Sequence, residues 1–256
     1  MPELPDVENM KKFAQENALD KTIETVKIRG EGVFQVSEST LRRHLLHNKL
    51  KEASRYGKYL FLEISDGYYL VLHFGMTGNF HYSKEGFPEH SKFILELEDG
   101  GNFAYINIRK LGKVDITDDK DSYIKEQGLG PDAQAVSMEE FKKILQNKRG
   151  SIKNALMNQH TLAGLGNVYA DEILFHTEIK PQHKISDLNE EHLEEIFKSM
   201  NDVIKTALKH NADPNSLPSD YLLGGREERE CPICGGDIKK TRFGGRPTLY
   251  CTQHQK

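Results

Sequence analysis

Residues 151–175 have the sequence SIKNALMNQHTLAGLGNVYADEILF. The apolar spacing predicts two helices, the second beginning at Asn167, with Gly164 and Gly166 in the turn before it. Glycines let a backbone come close to a ligand, and the start of a helix offers N–H groups to an anion. With Lys153 on the first helix and Asn167 at the cap of the second, the stretch indicates phosphate binding. An ordinary glycine turn between packed helices is the alternative interpretation.

The last 26 residues contain all three cysteines of the chain, followed closely by a histidine. Two residues separate Cys231 from Cys234, and two residues separate Cys251 from His254. Sixteen residues lie between the two pairs. Two such pairs of soft ligands on a hairpin are what tetrahedral zinc requires. No coordination position is left open, so one structural zinc ion per chain is expected and no other cofactor. Three free thiols beside an unrelated histidine are the alternative.

The same segment is basic, although the whole chain carries a net charge of -4. Residues 231–256 have a local charge of +4, because five basic residues accompany Asp237: Lys239, Lys240, Arg242, Arg246 and Lys256. An acidic chain argues against nucleic acid only weakly, since binding depends on the local patch. A phosphate-binding finger is therefore expected, and a solvated basic face is the alternative for each single lysine.

The period of the apolar residues divides the chain into three parts. A helix is predicted near the N-terminus, and six short alternating runs with turn signals between them predict an antiparallel sandwich or barrel. Four helical segments follow, and DPNSLPSDYLLGG has the composition of a linker. We expect a β domain over residues 1–132, a helical domain over residues 133–222 and a small module over residues 223–256.

Length and composition favour a globular protein without a membrane segment. The 256 residues are 37% hydrophobic and 29% charged, with no apolar run of about 18 residues and no secretory signal pattern. A cytoplasmic location is therefore the expectation.

The opening MPELPDVENM places Pro2 and Glu3 at the extreme end of the chain. Terminal residues are often frayed and carry no function. If Met1 is removed, however, Pro2 presents a free secondary amine. An α-amino group titrates at about 7.7–8.0, so a useful fraction is unprotonated at neutral pH, whereas a lysine needs its pKa lowered by about two to three units to match it.

Taken together, these stretches resemble the formamidopyrimidine-DNA glycosylase and endonuclease VIII family of base-excision repair enzymes, and more closely the formamidopyrimidine branch. The resemblance covers almost the whole chain and rests on motifs in the family's order: PELPDVE, RYGKYL, HFGMTG, NIRKLG, LGPD, GLGNVYADE and the cysteine hairpin. It implies an α+β fold with a leading helix on an N-terminal antiparallel β-sandwich, a helix–two-turn–helix domain and a C-terminal zinc-finger hairpin. The implied partner is damaged double-stranded DNA, bound by a monomer associated with a prokaryotic-type nucleoid.

The resemblance also implies roles for individual residues. The Pro2 amine would attack C1′ of a damaged nucleotide and form an iminium ion, with Glu3 shuttling protons and Lys58 near the lesion. The remaining residues are implied to contact DNA: Met76 fills the gap left by the everted base, Arg109 and Leu111 act beside the orphaned base, and Lys153, Asn167, Arg246 and His73 bind phosphates.

Two departures from the family pattern bear on metal and substrate. His254 stands where the family usually has a fourth cysteine, and residues 213–230 are shorter than in members specialised for 8-oxoguanine. The expected activity is a bifunctional glycosylase and abasic-site lyase that excises formamidopyrimidines, 8-oxoguanine and oxidised pyrimidines through β,δ-elimination. The alternatives are an endonuclease VIII-like enzyme preferring oxidised pyrimidines and a non-catalytic zinc-dependent DNA-binding protein.

Overall fold

The six predicted apolar runs form strands, and two further strands complete a pair of four-stranded antiparallel sheets. The computed structural model describes residues 1–224 and 230–256. One sheet has the order β1-β6-β7-β5 and the other β2-β3-β4-β8. The strands are β1 (Ile23–Ile28), β2 (Leu50–Tyr56), β3 (Tyr59–Ile64), β4 (Tyr69–His73), β5 (Gly78–Ser83), β6 (Ser91–Leu97), β7 (Asn102–Asn107) and β8 (Lys113–Thr117).

Apolar side chains from both sheets form one buried core. Successive side chains on a strand point to opposite faces, so alternate residues of each sheet are turned inward. Each fully buried Leu or Phe stabilises the fold by about 1.5–3 kcal/mol relative to the exposed side chain. The core includes Leu60, Leu62, Leu70, Leu72, Phe93, Leu95, Phe103 and Tyr105.

Four elements of this region were not predicted: β2, β5, α2 (Glu38–Leu45) and α3 (Lys120–Glu126). The two strands contain too few apolar residues to show a period, and they are held by pairing with β3 and β7. The two helices are short and each begins at a side-chain cap, Ser37 for α2 and Asp119 for α3.

The leading helix α1 (Leu4–Asn17) begins as predicted, with Pro5 in its first turn. Glu3 is the N-cap residue and forms a capping box with Asp6: the Glu3 side chain accepts from the Asp6 backbone N–H, and the Asp6 carboxylate accepts from the Glu3 N–H at 2.8 Å. Leu4 and Val7 are buried, and α1 packs against β2, β3 and β5. The N-terminal residues are therefore fixed to the sandwich.

The four predicted helices follow in the second half of the chain. They are α4 (Met138–Gln146), α5 (Ile152–Met157), α6 (Asn167–His176) and α7 (Glu190–Lys209), with short 3-10 turns at Ile185–Asp187 and Pro214–Ser216. Helix α6 is buried on nearly all sides and packs against α5, α7 and the C-terminal hairpin.

The hairpin consists of β9 (Ile238–Phe243) and β10 (Arg246–Cys251). Gly244 and Gly245 form the turn with φ of 56° and 76°, a left-handed conformation that glycine adopts without strain. The predicted strands and their FGG turn are confirmed.

The chain divides into two compact units, Met1–Gly128 and Leu129–Lys256. The first unit contains the leading helix and all eight sandwich strands, and the second contains α4–α7 and the hairpin. The division into domains over residues 1–132, 133–222 and 223–256 stays a prediction. Within the described residues, no helix is both long and apolar enough to cross a membrane.

Candidate active site and nucleic-acid interface

Pro2 and Glu3, two of the three residues expected to be catalytic, lie at the start of α1; the third is Lys58. Glu3 is buried, Pro2 is half-buried, and Met1 is exposed. Burial raises the pKa of the neighbouring Asp6 carboxyl, and the Glu3 backbone N–H opposes that rise. The capping box therefore fixes the backbone and side chain of Glu3, the residue that follows Pro2 in the chain.

Lys58 lies in the two-residue turn between β2 and β3 and is buried. Arg55 joins this turn to α1, because it donates to the Glu8 carboxylate at 3.2 Å and to the Gly57 carbonyl at 2.9 Å. The positive charge of Lys58 lowers the pKa of His73. The helix that presents Pro2 and Glu3 and the turn that presents Lys58 are thus linked through one arginine.

His73, at the end of β4, is an electrically neutral side chain at physiological pH. Burial, followed by the positive charges of Lys58 and Lys113, lowers its pKa to about 4. Its Nδ1 accepts a hydrogen bond from the Gly75 N–H at 3.2 Å, which assigns the proton to Nε2. His73 therefore offers a neutral N–H donor, and its contact with a DNA phosphate stays a prediction.

Two neighbouring loops of the first unit carry the residues expected to act beside the lesion. Met76 and Leu111 are 41% and 52% exposed, and Arg109 is also exposed. The loops touch: the Arg109 N–H donates to Thr77 Oγ1 at 3.1 Å. Large apolar side chains held in solvent mark an interaction surface.

In the second unit, Lys153 is fully buried and does not reach the surface. Its ammonium lies 2.7 Å from Asp171 Oδ1 and donates to Thr248 Oγ1 at 2.6 Å. Asp171 Oδ2 in turn accepts from the Leu249 N–H at 3.2 Å. In this structure the charge of Lys153 joins α6 and β10, and a direct phosphate contact by Lys153 stays a prediction.

Asn167 and Arg246 also lie where α6 meets the hairpin. The cap of α6 is Gly166, so Asn167 is the first helical residue instead of the cap. Asn167 donates from Nδ2 to the Pro247 carbonyl at 2.8 Å, next to the exposed Arg246. Asn167 therefore fixes the strand that presents Arg246.

The three cysteine sulfurs lie within 4.8 Å of one another. Cys231 and Cys251 are buried, Cys234 is exposed, and the Cys234 and Cys251 sulfurs are 3.6 Å apart. Burial alone would raise the pKa of the Cys251 thiol, but N–H donors from Gln253 and His254 outweigh it and lower the pKa. Three cysteine sulfurs this close together fit a soft cation such as zinc, which binds cysteine as the thiolate.

His254 is not part of this sulfur group, in contrast to the expected four-ligand set. Its Nε2 lies 2.8 Å from the Phe175 carbonyl oxygen and its ring packs on Phe175. An N–H donated to a carbonyl is the outer contact that a ligating histidine usually makes, and it leaves Nδ1 with a lone pair. The ring is thus in the right tautomer for a ligand, although it is turned onto α6.

Comparisons with known proteins place this geometry in a family. Residues 1–114 match the formamidopyrimidine-DNA glycosylase N-terminal domain and residues 128–218 its H2TH domain. A formamidopyrimidine-DNA glycosylase of Syntrophomonas wolfei is 30% identical, with all of both chains covered. The chain belongs to the formamidopyrimidine-DNA glycosylase family.

Solved structures of another family member agree. The Lactococcus lactis formamidopyrimidine-DNA glycosylase non-covalently bound to DNA containing an abasic site has a TM-score of 0.89 at 26% identity, with 99% of each chain covered. The same enzyme with DNA containing a formamidopyrimidine lesion has a TM-score of 0.88 at 26% identity, covering 99% of this chain and 100% of the other. The α+β architecture is that of the glycosylase family.

Sequence reasoning missed several residues of this glycosylase. Ile108 is 57% exposed beside Arg109, and Thr77 and Asn107 connect the two loops. In the second unit, Glu172 is buried and its two carboxylate oxygens accept from the backbone N–H groups of Leu222 and Leu223 at 3.0 and 2.9 Å.

The sequence contained a pattern that indicates buried carboxylates in α6. Asp171 and Glu172 stand in the otherwise apolar stretch of α6, and a carboxylate in a buried helix requires a partner. That pattern predicts two buried contacts without identifying them. The short stretch over residues 213–230 includes residues 225–229, which lie outside the described residues. The prediction that it is short therefore rests on the sequence.

Proposed function

We propose that this family member removes oxidised bases from duplex DNA and then cleaves the strand, with Pro2 as nucleophile and Glu3 as proton shuttle. The observation that carries the proposal is the buried Glu3 at the cap of α1, held by Asp6 beside the terminal amine. A buried carboxylate one residue from the amine is in reach of a sugar that the amine attacks.

The chemistry follows from a secondary amine acting on a nucleotide. After removal of Met1, the neutral Pro2 nitrogen bonds to C1′ and the glycosidic bond breaks, so that its electron pair leaves with the base. The nitrogen loses its N–H proton, and this loss balances the proton that the base takes up. Glu3 protonates O4′ as the ring opens, which leaves an iminium ion between nitrogen and C1′. That ion acidifies the C2′ proton, whose loss expels the 3′-phosphate, and a second proton loss expels the 5′-phosphate.

The exposed loop residues act on the DNA around the lesion. Met76 occupies the gap left by the everted base, Leu111 inserts beside it, and Arg109 donates to the orphaned base. Lys58 lies near the lesion phosphate. In the second unit, Arg246 contacts the phosphate backbone, and Asn167 supports the strand that carries it.

A structural zinc ion is held by Cys231, Cys234, Cys251 and, through Nδ1, His254. The close sulfur group and the tautomer of His254 support this ligand set. Bound zinc supplies only a fixed fold for the hairpin, since no ligand position is left for chemistry.

The test of the nucleophile is borohydride trapping on a panel of lesion duplexes, with peptide mapping of the adduct. Mass spectrometry should show Met1 absent and the DNA linked to Pro2. An adduct that maps to Lys58 would contradict the assignment of the amine.

Glu3→Gln separates the two steps of the reaction. It should reduce base excision more than lyase action on a preformed abasic site, because the abasic sugar is in equilibrium with its open aldehyde and does not need Glu3 to protonate O4′. Glu16→Gln, an exposed residue near the end of the same helix, is the matched control. Equal loss of both activities in Glu3→Gln would remove Glu3 from the acid role.

The short stretch over residues 213–230 favours a broad lesion range. It leaves little chain to enclose 8-oxoguanine, so formamidopyrimidines and oxidised pyrimidines such as hydantoins or dihydrouracil should be cut at least as well. A strong bias towards 8-oxoguanine in single-turnover rates would contradict this. The protein acts as a monomer in the cytoplasm, associated with the nucleoid.

A further inference from the structure

Two loops of the sandwich, over residues 74–78 and 107–112 and here named the paired loops, present all the exposed residues proposed to act beside the lesion. Their tips are in solvent, yet each loop begins at a buried residue, Phe74 in one and Asn107 in the other. The pair is therefore a surface built on an internal support.

Asn107 forms the centre of that support. It is fully buried, and its Nδ2 donates to the Phe74 carbonyl at 3.1 Å and to the Tyr105 hydroxyl at 2.8 Å. Its Oδ1 accepts from the Leu111 N–H at 3.3 Å. The Tyr105 hydroxyl donates to the His73 carbonyl at 3.1 Å. One amide thus binds the backbone of both loops.

Close backbone packing adds to these bonds. A Cβ at Gly75 would lie 2.4 Å from both the carbonyl carbon and the oxygen of Leu111, and Gly75 has a φ of +61°. On the opposite side of the contact, Thr77 accepts from the Arg109 N–H. Neither loop can move without disturbing the other.

We propose that Asn107 is a positioning residue that holds the paired loops as one rigid unit. Gap filling by Met76 and recognition of the opposite base by Arg109 are then a single coupled event, because both side chains are carried on one support. Groups fixed before binding lose less entropy on contact, so the rigid pair strengthens the complex and its selectivity. The inference rests on the proposed function of these loop residues.

The test compares duplex and single-stranded substrates. In Asn107→Ala, single-turnover excision of a formamidopyrimidine opposite cytosine should fall about 30-fold or more, and the preference for cytosine over adenine should shrink from about tenfold–hundredfold to less than about threefold. β-Elimination on a single-stranded abasic oligonucleotide needs neither loop tip, and it should stay within about twofold of the wild-type rate.

Two further variants complete the design. Asn102→Ala, at the other end of β7 where the amide donates to the Ser83 carbonyl at 3.3 Å, should keep the opposite-base preference. Thr77→Val keeps shape but removes the acceptor for the Arg109 N–H, so it should show the Asn107 effect in weaker form. It also serves as the test if Asn107→Ala does not fold.

Three outcomes would overturn the inference. They are an unchanged opposite-base preference in folded Asn107→Ala, an unchanged preference in Thr77→Val, and a parallel loss on single-stranded and duplex substrates. A wild-type protein that forms no borohydride adduct with any substrate would instead overturn the proposed function. The two failures are therefore distinguishable.

Discussion

Arg109 is an exposed guanidinium whose backbone, but not its side chain, is fixed by Thr77. A guanidinium can donate two hydrogen bonds to the O2 and N3 acceptors on the Watson–Crick edge of cytosine. Adenine presents an amino donor on that edge, which a guanidinium cannot use. The contribution proposed for Arg109 should therefore depend on the base that remains in the opposite strand.

Arg109→Ala should abolish the preference for lesions opposite cytosine. One lost bidentate contact corresponds to about 1–3 kcal/mol, or roughly a tenfold to hundredfold preference. Single-turnover rates on matched duplexes with cytosine or adenine opposite the lesion measure it. Lys110→Ala, the exposed neighbour, is the control, and a wild-type enzyme indifferent to the opposite base would remove Arg109 from this role.

His73 provides a second residue-scale prediction, in the pH dependence of stability. Its pKa is about 4 in the folded chain, against an ordinary value of 6.5, so the unfolded chain binds the proton more readily. The stability due to neutral His73 is fully present above about pH 6.5 and is lost as the pH falls towards 4. The loss should be about 2–3 kcal/mol.

Urea unfolding between pH 7 and 4 measures this effect. His73→Phe should show a smaller fall in the free energy of unfolding than the wild type over that range, whatever its stability at pH 7. Asn79→Ala, on β5, removes an exposed side chain that does not titrate and should keep the wild-type dependence. Parallel curves for wild type and His73→Phe would show that His73 does not carry this linkage.

At the scale of elements, strand β10 is held on helices α5 and α6 by polar contacts that span up to 95 residues of sequence. Lys153 of α5 and Asp171 of α6 form a buried ion pair that also binds β10. Beyond the end of β10, Gln255 donates from Nε2 to the Leu174 and Ile179 carbonyls at 3.1 and 2.7 Å. Breaking a buried pair leaves one charge without compensation. The hairpin and the helices should therefore lose stability together.

Lys153→Met should reduce the free energy of unfolding by about 3–5 kcal/mol, because it leaves the Asp171 carboxylate buried without its partner. Adding Asp171→Asn should recover part of the loss. Urea titration measures both, with Lys143→Met on the exposed face of α4 as control. If Lys153 instead contacted a phosphate directly, Lys153→Met would leave the free energy of unfolding unchanged. It would then reduce the slope of log DNA affinity against log salt concentration by about one.

At the scale of the whole molecule, charge and metal ligands are concentrated in one place. The chain carries -4 in total, yet residues 231–256 are basic and contain every cysteine. The hairpin has little apolar core of its own, since its buried cluster is Phe175, Leu222, Cys231 and Cys251. A metal is the natural source of the missing stability in so small a module.

Cys234→Ser should lower the zinc content below one ion per chain and weaken DNA binding, while the β-sheet amides of residues 1–128 stay protected from hydrogen exchange. The reason is that the hairpin presenting Arg246 loses its fixed fold. Ile233→Ser, in the same loop, removes no sulfur and is the control. Metal-free protein with full DNA affinity would contradict the prediction.

Much of the architecture could be predicted from local pattern. The alternating runs predicted six of the eight sandwich strands, and the apolar spacing predicted α1 and α4–α7. The remaining strands, β2 and β5, have too few apolar residues for a period, so only pairing with β3 and β7 defines them. Local pattern finds an element when its own residues supply the burial.

The sequence by itself determined the chemistry that residue type and spacing encode: the amine and carboxylate of Pro2 and Glu3, the cysteine pairs, and the basic hairpin. The tertiary structure decided which groups remain accessible. Lys153 and Asn107 are polar residues in loop or helix motifs, and both are buried among partners distant in sequence. Burial and hydrogen bonding by distant partners decide whether a charge contacts DNA or holds the protein together. No local pattern contains that information.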